Sequence, residues 1–188
     1  MKTQLFFFLI LTCLFCNGQT IPTDSLTGKF KYEQVIQADS IKQADIYDRA
    51  KNWIVRTLKS SDNAVNLDDS NKGSINATGN ILLSDQGGGP IKYRSVVVNF
   101  KFNVYCKDGR YKIIIDNFIL NYDLVGNSGG TSAVSTSLEG GYKKQGMYKG
   151  HKATENTHIE TNEVLKKLIA DLKSTIETSK LPGDKGDW

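Results

Sequence analysis

Apolar and polar positions alternate most regularly between Tyr93 and Leu124, YRSVVVNFKFNVYCKDGRYKIIIDNFILNYDL. The alternation is interrupted at Asp108-Gly109. A type I′ turn needs positive φ at both central residues, and Asp-Gly supplies them. Two antiparallel strands pivoting on that pair oppose Lys107 to Arg110, Cys106 to Tyr111, Tyr105 to Lys112, Val104 to Ile113 and Phe102 to Ile115. Opposed residues share a face and successive residues alternate. One face therefore collects Phe102, Val104, Cys106, Tyr111, Ile113 and Ile115. The other collects Lys101, Asn103, Tyr105, Lys112, Ile114 and Asp116, with Lys101 opposite Asp116. Beyond Asp116 the phase slips by one, to Phe118, Leu120 and Tyr122. A β-bulge at Asp116-Asn117 restores a single apolar face.

The remaining elements follow from the same kind of pattern. Lys29 to Gln37 alternates Phe30, Tyr32 and Ile36 against charged neighbours and predicts the first strand. A helix then starts at Asp39-Ser40, where Ser40 and Gln43 have capping-box spacing. Ile46, Tyr47, Ala50, Trp53, Ile54 and Leu58 form its apolar stripe, and Lys59 to Asp62 end it. Ala64 to Asp68 is a short strand. Ser74 to Leu83 is a longer one, with Ile75, Ala77, Ile81 and Leu83 on its inner face. Gly79 on that face leaves room for a helix to approach. Gly126 to Asn156 is polar and glycine-rich and predicts a long loop, anchored by Tyr142, Met147 and Tyr148. Thr157 and Glu160 repeat the capping-box spacing and open a helix over 157–178, with Val164, Leu165, Leu168, Ile169, Leu172 and Ile176 on one stripe. Residues 180–188 are a tail ending in Trp188.

Strands with one polar and one apolar face need cover on one side only. Two amphipathic helices provide it. The expectation is a two-layer α+β domain over 29–179: an antiparallel sheet of about five strands in β-α-β4-α order, both helices on one face and the other face open.

Composition adds a compartment. Lys2, the apolar run Leu5 to Phe15 and the small polar Asn17-Gly18-Gln19 make residues 1–19 a signal peptide. The run is too short to span a bilayer, which takes about 20 apolar residues, so the mature chain has no transmembrane segment. Residues 20–28 are a flexible lead-in, and the protein is expected in the periplasm or secreted. Lipidation at Cys16 is disfavoured because bulky Phe15 precedes it. With Cys13 and Cys16 removed, Cys106 is the sole thiol left, and it points inward as a small core hydrophobe. A net charge of +4 scattered along 188 residues argues against nucleic acid as a partner.

Catalytic chemistry is hard to find. His151 and His158 lack the further ligands of a metal site, and His158 reads as a solvated first-turn residue. Asp68-Asp69-Ser70-Asn71-Lys72-Gly73 puts Lys72 where a calcium loop needs an oxygen, so it reads as a turn. Gly87-Gly88-Gly89 lacks the Lys-Ser/Thr of a phosphate loop. No catalytic residue, metal ligand or cofactor is assigned. What stands out is the open face: Asn76, Thr78 and Asn80 on one strand, Asn99, Lys101, Asn103 and Tyr105 on the next, and Lys112 on a third. Asparagine is not a preferred strand residue, and this ladder suits hydrogen bonding to a glycan or a peptide of an envelope protein.

Two resemblances sharpen these expectations. The segments IYDRAKNWI (Ile46–Ile54), GSINATG (Gly73–Gly79) and VNFKFNVYCKDGRYKIIIDNF (Val98–Phe118) resemble an exported Bacteroidota family of unknown function with a TATA-binding-protein-like (TBP-like) fold, over about residues 30–118. The resemblance implies export and the same β-α-β4-α order. It implies no activity, and a fold name does not carry DNA binding. Asp24-Ser25-Leu26 and Asp39-Ser40-Ile41 resemble O-glycosylation acceptors of exported Bacteroidota proteins, with Ser25 the better placed and Ser40 a helix cap. The expected function is a non-catalytic cell-envelope binding or structural module. The alternative, a hydrolase using the 126–156 loop, predicts a concave pocket where that loop folds over titratable residues.

Overall fold

The fold is described from a computed structural model, over residues 21–58, 65–88, 91–126, 129–142 and 151–178. The signal segment 1–19, the helix-ending Lys59 to Asp62, the proposed anchors Met147 and Tyr148, and the 180–188 tail with Trp188 lie outside the described residues.

Among the described residues ten elements follow one another: strand β1 (Tyr32–Gln37), helix α1 (Gln43–Thr57), strands β2 (Val65–Asp69), β3 (Ser74–Leu82), β4 (Gln86–Gly88), β5 (Ile91–Lys107), β6 (Arg110–Val125) and β7 (Thr131–Ser137), a 3-10 turn (Leu138–Gly140), and helix α2 (His151–Thr178). The strands make one seven-stranded antiparallel sheet. Five of them run in the order β1-β6-β5-β3-β2, the expected number, while β4 and β7 add to the flanks of β5 and β6. Both additions fall in segments read as loops. Both pair with the adjoining strand, Gln86 with Tyr93 and Val134 with Tyr122, but their glycine-rich or polar residues carry no apolar alternation to mark them.

The β5–β6 hairpin is the spine, and its register is the one expected: Lys107 opposite Arg110, Cys106 opposite Tyr111, Phe102 opposite Ile115, Lys101 opposite Asp116. The turn itself is not type I′, because only Gly109 (φ 70°) and not Asp108 takes positive φ. The pairing then shifts between Asn99 and Lys101, with Asn117 at φ 53° as the extra residue. The bulge returns Phe118, Leu120 and Tyr122 to the buried face. A second, unforeseen bulge at Ser95 (φ 51°) on β5 restores Tyr93 to the same face.

Both helices cover that face. Ile46, Ala50, Trp53 and Ile54 of α1 are fully buried, and the Trp53 ring lies 5.6 Å from that of Phe102. Leu165, Leu172 and Ile176 of α2 complete the layer, with Val164, Leu168 and Ile169 partly buried beside them. Trp53 Nε1 donates to Asp171 Oδ2 (2.6 Å) and Arg49 Nη1 to the Ile176 carbonyl (2.6 Å), which tie α1 to α2.

Four expectations about local chemistry are corrected. Ser40 does not cap α1: it adopts φ 69°, the helix begins after Lys42, and no side chain of its own cap bonds the first turn. Asp108 of the hairpin turn does so instead, accepting the Gln43 N–H at 2.8 Å. Thr157 and Glu160 are not a capping box, because α2 starts at His151. Thr157 is buried and bonds the Tyr142 hydroxyl (2.9 Å), while Glu160 accepts from the Ser84 N–H and hydroxyl. His158 is half-buried rather than a free surface residue; its Nε2–H donates to the Leu138 carbonyl at 2.9 Å and its ring meets Phe30 edge-on. Finally, Gly79 makes room for Phe100 of the neighbouring strand, whose ring crosses it, rather than for a helix. Of the three anchors proposed for the 126–156 segment, Tyr142 is buried, stacked on Tyr93 at 4.1 Å and meeting Tyr122 edge-on at 4.7 Å.

Candidate functional site

The open face is built as a grid, because antiparallel pairing sets outward residues of adjacent strands side by side. Asn76 pairs with Asn103, Thr78 with Lys101, Asn80 with Asn99, and Tyr105 with both Ser74 and Lys112. All eight residues read from the ladder alternate with buried neighbours and share the face away from the helices.

The structure then divides them. Asn76, Lys101 and Asn103 line a groove of about 680 Å³, together with Asp116 and Asn117 of the bulge. Tyr105 and Lys112 line a smaller hollow of about 210 Å³ near the hairpin turn, with Val35, Lys107, Arg110 and Tyr111. Thr78, Asn80 and Asn99 line neither.

The groove's other wall is a segment that sequence pattern marks as a flexible lead-in. Residues 21–31 form an arm folded back on itself, with Thr23 bridging Phe30 and the Lys31 N–H donating to the Pro22 carbonyl. Ile21 roots it in the core. Its tip is organised by Asp24, whose Oδ1 accepts from the Leu26 and Thr27 N–H groups and the Thr27 hydroxyl. Those bonds, the Thr27 N–H foremost, hold the Asp24 carboxyl below the usual carboxylate range. Asp24, Thr27, Lys29 and Lys31 face the groove. The sequence signal for this arm was the Asx-turn spacing Asp24-Ser25-Leu26-Thr27 followed by Gly28. Ser25 and Leu26 stand exposed at its tip, with Leu26 95% exposed.

Charge on the face is partly neutralised. Glu33 pairs with Lys112 and, at 2.6 Å, with Lys31, and hydrogen bonds from these two ammonium groups, Lys112 foremost, hold its carboxyl below the usual carboxylate range. Among the described residues Lys29, Lys101, Lys107 and Arg110 make no ion pair. No grouping of three or more His, Cys, Asp or Glu that could hold a metal occurs among them either. The groove therefore offers amide donors and acceptors, ammonium groups and two carboxylates, which suits recognition of a polar ligand. Among the described residues, none that lines it belongs to the 126–156 segment.

Residues 32–121, from the start of β1 to the middle of β6, match one family model. It is DUF4468, a domain of unknown function with TBP-like fold. The DUF4468 match contains most of the groove floor but not the arm. A crystallised TBP-like protein from Parabacteroides distasonis is similar in structure, with a TM-score of 0.63 and 18% identity over 85% of this chain and 98% of that one. A DUF4468 family protein from Bacteroides ovatus gives a TM-score of 0.53 and 17% identity, over 88% and 94% of the two chains. At such identities the likeness shows the α+β TBP-like fold. None of the curated proteins matches.

Proposed function

We propose that the protein is a non-catalytic binding module of the cell envelope, exported by its signal segment, and that a partner protein or glycan occupies the groove between the 21–31 arm and the sheet. The supporting observation is the pairing of Asn76 with Asn103 beside Lys101 in that groove. Two amides and an ammonium group on a rigid sheet hold hydrogen-bonding positions without ordering flexible loops, so little entropy is lost on binding. The described part of the 126–156 segment supplies β7 and the packing residue Tyr142, which favours binding over the hydrolase reading.

A photo-cross-linking residue placed at Asn103 in the natively expressed protein tests this. It should give a discrete adduct that Lys101→Glu abolishes, whereas the same residue at exposed Val55 on α1 should give none. Equal labelling from both positions, or none from Asn103, removes the groove from consideration. Cell fractionation checks the compartment: a product of full unprocessed mass in the cytosol contradicts export.

A further inference from the structure

We propose that the outer face, from the groove to the hairpin turn, binds an acidic polysaccharide, a chain of sugars carrying carboxylates. The inference rests on the binding reading above and names the ligand class.

Its first ground is charge. Lys29, Lys31 and Lys101 in the groove and Lys107, Arg110 and Lys112 at the turn share this part of the molecule with four carboxylates, Asp24, Glu33, Asp108 and Asp116, a local excess of two cations. Three of the carboxylates are occupied: Glu33 is bonded by two lysines, Asp24 turns its Oδ1 onto its own arm and Asp108 caps α1, whereas Asp116 only opposes Lys101 in register. Nearby, Asp69 is engaged as well, pairing with Lys72 at 3.4 Å. Lys107 and Arg110 oppose one another across the turn with no carboxylate of their own. A ligand carboxylate is the partner that Lys29, Lys101, Lys107 and Arg110 lack among the described residues, and ionised hydrogen bonds are the stronger kind.

Shape and surface chemistry supply the second ground. Tyr105 keeps 41% of its surface exposed in mid-sheet and Val35 keeps 55%, on either side of Lys112. A lone exposed aromatic ring on a flat face suits one apolar face of a sugar ring, with amides at Asn103 and Asn76 for its hydroxyls. A nucleic-acid strand would instead call for a series of stacking rings. From Lys101 to Lys107 the outward positions of β5 span about 20 Å, the reach of an oligosaccharide rather than one sugar.

Affinity electrophoresis of the natively expressed protein through gels containing polygalacturonate, dextran or dextran sulfate tests the proposal. Polygalacturonate should retard the protein and dextran should not. Tyr105→Ala and Arg110→Gln should each weaken the retardation at least about fivefold, and raising the salt tenfold should weaken it further, since exposed charges are screened. Thermal melting of both variants should stay unchanged, because both side chains are exposed. Equal retardation by dextran overturns the acidic class while leaving the groove reading intact. Retardation by dextran sulfate and polygalacturonate alike, untouched by Tyr105→Ala, reduces the face to a simple ion exchanger and also overturns it. If none of the three polymers binds while the Asn103 cross-link persists, the ligand class is wrong and the groove stands. If both fail, the binding reading goes with it.

Discussion

Asp108 of the hairpin turn caps helix α1 by accepting the Gln43 N–H at 2.8 Å, across 65 positions of sequence. Two backbone bonds reinforce the junction, from the Ala38 N–H to the Gly109 carbonyl and from the Gly109 N–H to the Ile41 carbonyl, each 2.9 Å. One Asp-Gly pair therefore closes the sheet's central hairpin and fixes where the first helix begins. The helix's orphan N–H groups demand an acceptor, and with Ser40 at positive φ the turn provides it.

Asp108→Ala should lower stability by about 1 kcal/mol, the usual cost of a lost N-cap. Asp108→Asn keeps the oxygen acceptor and should recover most of that loss. Urea midpoints of the three proteins check the order. An alanine variant as stable as the parent means that water replaces the carboxylate at no cost.

Gly79 should resist even alanine. A Cβ there would lie 2.5 Å from the Phe100 ring, in a directly opposed pair. Removing a strand glycine ordinarily gains about 0.5–1 kcal/mol of chain entropy, but overpacking costs about 1–3 kcal/mol, so the net change should be destabilising. Phe100→Leu opens the same space, and Gly79→Ala combined with it should lose less than the two single losses added. Strict additivity in chemical denaturation would sink this account.

Alkaline pH should destabilise the fold. Burial pushes the Cys106 thiol up to about 12 and the Tyr32 hydroxyl up to about 12, and raises Tyr111 and Tyr142 further. In the unfolded chain these groups ionise near 8.5 for cysteine and 10 for tyrosine. The folded state thus holds protons that the unfolded state releases. Their stabilising effect is complete below about pH 8.5 and declines as pH rises toward about 12. Melting temperature should be flat across neutral pH and fall above about 9, with Cys106→Ala delaying the onset toward about 10. Native Cys106 should also resist iodoacetamide at pH 8 until urea unfolds the protein.

Ser25 lies exposed at the tip of the arm, in the Asp24-Ser25-Leu26 triplet. If it is an O-glycan acceptor in the native host, intact-mass measurement should show an increment above the signal-cleaved polypeptide, lost in Ser25→Ala. A single species at the bare polypeptide mass ends the idea.

What could be read from sequence was whatever depends on neighbours along the chain. The spine's register, the bulge at Asn117 and the split between an apolar and an asparagine-lined face all follow from a period of two and one Asp-Gly turn. The helices showed through their stripes for the same reason. Sequence alone could not show which distant groups would satisfy the backbone and the polar side chains. Ser40 and Thr157 both looked like caps, yet Asp108 took the first role and Tyr142 bonded the second residue. Likewise the ladder of open-face residues was legible, but its division between groove and hollow was not. That division depends on an arm rooted by Ile21 coming to rest beside Asn103, and only the packed chain decides where such a segment lies.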